Sequence, residues 1–371
     1  MNILVITPDY PDRYKVHYPF VKQLVDEFAR QGQTCSVIAP YSVTKNKRFY
    51  PVVEKDGPVT VYRPNYLSFS NLRIGKVRLS DVFRRRAINR ATKMLPVKPD
   101  VVYCHFWECA IEACPYAKSQ GIPLFVATGE SSISAFGKTD EVTPEMRDYI
   151  KGVVCVSSKN KEESISLGLT TADKCLVSPN SVNSAIFRKL DKAECRKKLG
   201  ISEDKFIISF VGAFINRKGS NRVAEAIRSI KGEPVYSFFI GKGDQEPECE
   251  NNLFKGRLSH EDIPLYLNAS DVFVLPTLAE GCCNAIVEAM SCGLPIVSSN
   301  LSFNWDVLDE SNSIMIDPND VDAITKAIQM LRDDKELRSR MAASSLEKAR
   351  SLTIDQRARG IIGFISHRLG K

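Results

Sequence analysis

Twice along this chain, short β-branched runs alternate with amphipathic helical stretches, and nothing else in the sequence constrains the fold as much. The first series runs "NILVIT", a helix from Phe20 to Arg30, "CSVIA", "VTVYRP", a helix from Asp81 to Met94, "DVVYCHF", a helix from Ile111 to Gln120, and "PLFVAT". "KGVVCVS", a helix from Lys159 and "KCLVSPN" complete it, and a turn-rich basic stretch, "PNSVNSAIFRKLDKAECRKKLGISEDK", interrupts the pattern. The second series takes "FIISFVGAF", "VYSFFIGKG", "DVFVLPT", "LPIVSS" and "SIMID" and ends in helices from Val321 onward. Strands covered by helices on both faces read as apolar runs. The expected fold is therefore α/β, with two Rossmann-like doubly wound domains facing each other across a cleft. Residues 1–182 are expected to form the first domain and 183–353 the second, with a C-terminal helix, 354–371, returning to the first. In open α/β sheets ligands sit outside the carboxyl ends of the strands, so the chemistry is sought there.

A length of 371 residues, 43% of them hydrophobic, suffices for two cores. No apolar stretch approaches the roughly 18 residues of a membrane span, and "MNILVITPDYPDRYK" lacks a basic lead and a cleavage site. A cytoplasmic protein is expected, with peripheral attachment to the inner face of the cell membrane as an addition. The eleven cysteines form no C-x-x-C pair, which fits a reduced protein with buried thiols. Residues 1–100 carry a net charge of +10 and residues 201–371 a net of −4. That asymmetry suggests an anionic partner for the front of the chain. A nucleic-acid partner is not expected, because the back half does not share the excess.

In "EGCCNAIVEAMSCGLPIV" the carboxylates of Glu280 and Glu288 have seven residues between them. About five acidic pairs at that separation arise by chance, so the context decides. The strand "DVFVLP" leads into a loop and then a helix, with Asn284 as the expected N-cap and Gly293 as the stop. Backbone N–H groups around Cys283, Asn284, Ala285 and Ile286 would form an anion site suited to a diphosphate. Carboxylates do not bind phosphate, but they accept hydrogen bonds from hydroxyls on either side of it. A diphosphate between two polyhydroxylated groups is a nucleotide sugar. "VGAFINRKGS" follows another strand, and its adjacent Arg217 and Lys218 would neutralise a leaving diphosphate.

With these pieces placed, the sequence resembles the large retaining glycosyltransferase group of GT-B fold, the family-four type with an E-x7-E signature. "KPDVVYCHFWECA", "VSSKNKEE", "VSPNSVNSAIF", "FVGAFINRKG", "FKGRLSHEDIPLYLNASDVFVLPTLAEGCCNAIVEAMSCGLPIV" and "IDPNDVDAITKAI" follow the order of that family, the long block being the most specific. The resemblance implies that Glu280 contacts the donor sugar, Glu288 the ribose, and Arg217 with Lys218 the diphosphate, with Gly212 also among the donor-binding residues. It places Gly256, Arg257 and Leu258 beside the nucleobase. Gly281, Cys282 and Cys283 fall in the donor loop, and Asn284, Ala285 and Ile286 offer backbone donors to phosphate. It also implies transfer with retention of configuration, the leaving phosphate helping to deprotonate the acceptor, without a metal or cofactor. UDP-sugars are favoured over GDP-sugars as donors, and a glycan or lipid-linked saccharide is the expected acceptor.

The chain also departs from the pattern. Where many members have a Gly-Gly turn after the first strand, it reads "PDYPDRYKVHYPF", and where many have a histidine, "VATGESS" holds Glu130. Glu130 is either a substitute or the mark of a lost function. With His17 and His105, which follow early strands, it makes up the expected acceptor side. Ala213 stands where an arginine is usual, and Cys282 and Cys283 replace a common Phe-Pro. Those thiols are read as small buried packing, with reactive groups at a helix N-terminus as the alternative.

Between Asn71 and Lys98 there are nine basic residues and one acid. On a helix from Asp81, Phe83, Ala87, Ala91 and Met94 make an apolar stripe. Arg84, Arg85, Arg86, Arg90 and Lys93 then suit an anionic membrane surface, or else the solvated outer face of a packed helix. Two rivals to the transferase reading are a nucleotide-sugar epimerase of the same fold and a noncatalytic glycosyltransferase-like partner subunit. A dinucleotide oxidoreductase is disfavoured because no G-x-G-x-x-G follows the first strand.

Overall fold

The computed structural model describes residues 1–371 apart from 13–16, 46–49, 76 and 135–136. The chain divides into two units: Met1–Val156, Asn160–Ser178 and Arg357–Lys371 form the first, and Ser157–Lys159 with Pro179–Gln356 the second. Among the described residues no helix is long and apolar enough to cross a membrane.

Through the first unit the chain passes β1 (Asn2–Ile6), α1 (Pro19–Arg30), β2 (Thr34–Ile38), β3 (Tyr41–Ser42), β4 (Val53–Asp56) and β5 (Val59–Tyr62). It continues with β6 (Asn65–Tyr66), β7 (Arg73–Ile74), β8 (Val77–Arg78), α2 (Leu79–Thr92), β9 (Val101–His105) and α3 (Trp107–Gln120). β10 (Leu124–Thr128), α4 (Pro144–Tyr149), β11 (Ile150–Cys155), α5 (Ser158–Ser166) and β12 (Cys175–Val177) follow. The sheet order is β12-β11-β10-β9-β1-β2-β5-β4, parallel except for the β4–β5 pair. β3 pairs with β6 and β7 with β8 as two-residue ladders. Chain order reverses between β1 and β9, so the switch point lies at their carboxyl ends. α1 shows how sequence makes the layer: Val21, Leu24, Val25 and Phe28, at helical spacing, are all buried.

The second unit holds α6 (Lys192–Leu199), β13 (Phe206–Val211), α7 (Ser220–Ser229), β14 (Val235–Ile240), β15 (Asn252–Gly256) and α8 (Ile263–Ala269). β16 (Val272–Leu275), α9 (Asn284–Ser291), β17 (Ile296–Ser299), β18 (Ser313–Ile316), α10 (Val321–Asp333) and α11 (Lys335–Ala349) complete it. Its sheet is parallel throughout, in the order β15-β14-β13-β16-β17-β18, with the reversal between β13 and β16. All of β16 and β17 is buried, as their apolar runs require. The chain then closes with α12 (Ile354–Arg368). In the first unit Phe364 of α12 lies over Gly152 of β11, where an added Cβ would come within 2.6 Å of its ring. Arg368 Nε donates to the Lys151 carbonyl at 2.8 Å and ties down the end of the helix.

Candidate functional site at the carboxyl edge of the second sheet

The turn from β13 into α7 and the loop after β16 are drawn together by backbone contacts. Leu278 N–H donates to the Arg217 carbonyl at 2.8 Å, and Arg222 Nη2 donates to the Pro276 carbonyl at 2.8 Å. Gly219 caps α7 at φ 83°, and a Cβ there would lie 2.8 Å from the Pro276 oxygen. Only glycine allows this conformation and this approach together. Three charged side chains converge as a result. Glu280 Oε1 accepts from Lys218 Nζ at 2.6 Å, Arg217 Nη1 at 2.7 Å and Thr277 Oγ1 at 2.8 Å. All three contacts fall on Oε1, which leaves Oε2 clear of these donors. Burial opposes the charge on Lys218, but Cys283 and Glu280 outweigh it and hold its pKa above the ordinary lysine value. Burial raises the Cys283 thiol in turn, against the pull of Lys218, whose Nζ is 4.0 Å from the sulfur.

Cys283, not Asn284, is the N-cap of α9, in extended conformation and without a side-chain cap bond. The first N–H groups of a helix have no partner within it, so Asn284, Ala285 and Ile286 present donors beside Lys218. Ile286 is fully buried and offers only its backbone. Asn284 Oδ1 is buried without a partner. Cys282 is also buried: Asn180 donates from Nδ2 to its carbonyl at 2.9 Å and from its backbone N–H to its sulfur at 3.4 Å. Both thiols and Gly281 therefore pack inside the loop, and Asn180 fixes that loop from the start of the unit.

Further along α9, Glu288 is buried and its Oε1 is 3.1 Å from His260 Nε2. The His260 ring meets the Phe187 ring edge-on at 4.8 Å. The hydrogen bond to Glu288 raises the His260 pKa, against burial. Neighbouring glycines bring the strand ends together. A Cβ on Gly241 would lie 1.8 Å from the Gly212 carbonyl oxygen, and one on Gly243 would lie 2.2 Å from that of Phe214. Gly241 N–H donates to the Gly256 carbonyl at 2.8 Å, so Gly212, Gly241 and Gly256 form a line across β13, β14 and β15. Arg257 beyond it is exposed and Leu258 half-buried. Sequence alone singles out none of His260, Thr277, Asn180, Gly241 and Gly243. The G-K-G of "FIGKGD", directly after a strand, was the available signal for the last two.

The other three site candidates belong to the first unit. His17 is exposed and its Nδ1 is 2.9 Å from Asp9 Oδ2. His105 is buried among the Phe20, Tyr103 and Phe106 rings. Burial and then Arg357 push its pKa down to about 3, so it is a neutral packed ring. Glu130 accepts from Thr128 Oγ1 at 2.6 Å, Gly129 N–H at 2.8 Å and Trp107 N–H at 3.4 Å, and so lies at the N-terminus of α3. Burial raises its pKa, and those hydrogen bonds moderate the rise. The unusual segment after β1 falls partly on 13–16, outside the described residues.

The basic helix needs correction. Arg84 does not face outward: its Nη2 is 2.6 Å from Glu108 and its Nε 2.7 Å from Glu112, both on α3. Lys138 bridges Asp81 at 2.8 Å and Glu108 at 3.0 Å. The three carboxylates that approach one another here are thus held by two cations. Burial pushes Glu112 up to about 7 in spite of Arg84. The buried face of α2 is Ala87, Ile88 and Ala91, while Met94, expected in the stripe, is beyond the helix and exposed. Arg85 is half-buried; Arg86, Arg90 and Lys93 are exposed. Arg90 donates to the Asn65 carbonyl at 2.7 Å.

Comparison with known proteins agrees with this architecture. Residues 191–348, which hold the whole Arg217–Glu280–Glu288 region, match the family model for glycosyl transferases group 1. The UDP-Gal:alpha-D-GlcNAc-diphosphoundecaprenol alpha-1,3-galactosyltransferase of Escherichia coli is 31% identical over 263 residues, 65% of this chain and 68% of that protein. The chain belongs to the group 1 glycosyltransferases. Sucrose-phosphate synthase from Thermosynechococcus elongatus superposes on this glycosyltransferase with a TM-score of 0.79 at 18% identity, covering 99% of this chain and 98% of the other. Anabaena HepE, solved in complex with UDP, gives 0.76 at 14% identity and covers 99% and 100%. At that identity the likeness shows fold alone: two parallel-sheet α/β domains of GT-B type.

Proposed function

We propose that this glycosyltransferase moves a sugar from a nucleoside-diphosphate sugar to a saccharide or lipid-linked saccharide, with retention of configuration, in bacterial surface polysaccharide or glycoconjugate synthesis. The observation that carries the reading is the meeting of Arg217, Lys218 and Glu280 beside the α9 N-terminus. Two cations and a row of N–H groups suit a diphosphate, and Glu280 Oε2 suits a sugar hydroxyl. Glu288, with Oε1 held by His260, keeps Oε2 for the ribose. In this reading the bond between the anomeric carbon and the diphosphate oxygen breaks while the acceptor oxygen bonds to that carbon. The acceptor proton passes to the departing diphosphate, whose charge Arg217, Lys218 and the helix end stabilise. UDP-sugars come first as donors and GDP-sugars second. The name of the Escherichia coli relative specifies UDP-Gal and a diphosphoundecaprenol acceptor, and Anabaena HepE was solved with UDP.

The test is a panel of UDP-, GDP-, dTDP- and ADP-sugars scored for thermal stabilisation and turnover, parent against Glu280→Ala. One donor is expected to stabilise the parent and to be hydrolysed or transferred, with turnover lost in the variant. Stabilisation by none of them would end the proposal, and conversion of a donor to its epimer without acceptor would make the protein an isomerase.

A further inference from the structure

Three segments of the second unit meet around one imidazole ring. The loop after β15 brings His260, α9 brings Glu288, and the stretch before α6 brings Phe187, which is buried. Each segment is fixed on its own account. Asn268 of α8, fully buried, donates from Nδ2 to the Arg188 carbonyl at 3.1 Å and accepts from Leu190 N–H at 2.7 Å, which pins the chain just after Phe187. Phe187 N–H itself donates to the Asn183 carbonyl at 2.9 Å. Around His260, Ser259 Oγ donates to Asp262 Oδ2 at 2.6 Å and Asp262 N–H donates to the Ser259 carbonyl at 3.1 Å, a turn that leads into α8. The Phe187 ring, edge-on at 4.8 Å, then limits how far the His260 ring can rotate.

A carboxylate only accepts hydrogen bonds, so the His260 Nε2 that lies 3.1 Å from Glu288 Oε1 carries a hydrogen. The hydrogen bond to Glu288, and then the charges of Glu288 and Glu261, favour the protonated ring against its burial. Among the described residues no other side chain donates to Glu288, and only 11% of its side chain is exposed. The last torsion of a glutamate is broad, so an untethered carboxylate samples many orientations. With Oε1 tied to His260, Oε2 keeps one direction. We propose that His260 is a positioning residue for the donor: by anchoring Glu288 Oε1 it aims Oε2 at the ribose hydroxyls and makes the site select nucleotides that carry them. The inference rests on the donor reading above and adds how the ribose is recognised. A nucleotide without those hydroxyls leaves a nearly buried carboxylate oxygen unpaired, and a site built to bond a hydroxyl rejects the analogue that lacks it.

The experiment is calorimetric titration of UDP and GDP, each beside its 2′,3′-dideoxy counterpart, into the parent, His260→Phe, His260→Gln and Glu288→Ala. The parent should bind UDP or GDP at least about tenfold more tightly than the dideoxy form, and Glu288→Ala should erase that preference. His260→Phe keeps a ring against Phe187 but has no donor. It should weaken the hydroxyl-bearing nucleotide about five- to tenfold and leave the dideoxy form within about twofold. His260→Gln, which restores an N–H, should return to within about threefold of the parent. Equal weakening of both nucleotides by His260→Phe would make the ring a structural prop and overturn the proposal, as would failure of His260→Gln to recover. Binding that Glu288→Ala weakens and His260→Phe leaves unchanged would overturn this inference alone. Binding of neither UDP nor GDP to the parent would overturn the donor reading and this inference together.

Discussion

Replacing Gly241 by alanine separates backbone geometry from charge in the second unit. The added Cβ would lie 1.8 Å from the Gly212 carbonyl oxygen, where real Cβ contacts stay above 3.0 Å, so the ends of β13 and β14 must part by at least about 1.2 Å. The obstacle is backbone, which no rotamer change relieves. Overpacking of this kind costs about 1–3 kcal/mol. The parting also strains the bonds from Gly212 N–H to Ile240, Gly241 N–H to Gly256 and Phe214 N–H to Lys242, all between 2.8 and 2.9 Å. Weakening them adds about 1 kcal/mol. A loss of about 2–4 kcal/mol follows, or about 5–15 °C in the melting temperature of a unit of this size. Differential scanning calorimetry provides the measurement. Gly360→Ala is the control: nothing stands within 4 Å of that helical position, so it should raise stability by up to about 1 kcal/mol. A Gly241→Ala melt within about 1 °C of the parent would refute the close-approach reasoning.

Other outcomes follow from the same geometry. Arg84→Met should cost about 3–5 kcal/mol in urea unfolding, because Glu108 and Glu112 lose their shared cation, while Arg86→Met should stay within about 0.5 kcal/mol. The His260 pKa, followed by NMR, should lie above about 6.5 in the parent and fall toward it in Glu288→Gln. Because the folded value is the raised one, stability from this pair is full below about pH 6.5 and fades as pH rises through the folded pKa; a profile that gains stability with pH in Glu288-dependent fashion would contradict it. Under native alkylation Cys175, half-buried and lowered by the hydrogen bond to Cys155, should react before Cys282 and Cys283; the reverse order would show that the α9 loop opens.

Legibility tracked burial. The strands with four or more consecutive buried residues, such as β9, β10, β16 and β17, announce themselves as apolar runs. β15 escaped because it lies at the sheet edge, where half-buried and exposed residues alternate, and β4 escaped for the same reason. At the site, the loop-to-helix entry of Glu280 and Glu288 and the adjacent cations of Arg217 and Lys218 stand out by their place directly after strands, since the spacing of the glutamates alone is at chance level. Their mutual contacts did not, because 62 residues separate Lys218 from Glu280 and only the fold closes that gap. Arg84 shows the opposite hazard. Glu108 and Glu112, one turn apart on α3, hint at a cation partner, but which arginine answers depends on how α2 packs. A basic run therefore read as surface when its first arginine was interior.

The central claim is that Arg217 and Lys218, gathered on Glu280, hold a nucleoside diphosphate. Calorimetric titration of the diphosphate that matches the accepted donor, into the parent and into Arg217→Met with Lys218→Met, tests it most directly. Two lost charge-assisted bonds at about 1.5 kcal/mol or more each should weaken binding at least about hundredfold with the fold intact. An unchanged dissociation constant would contradict the account.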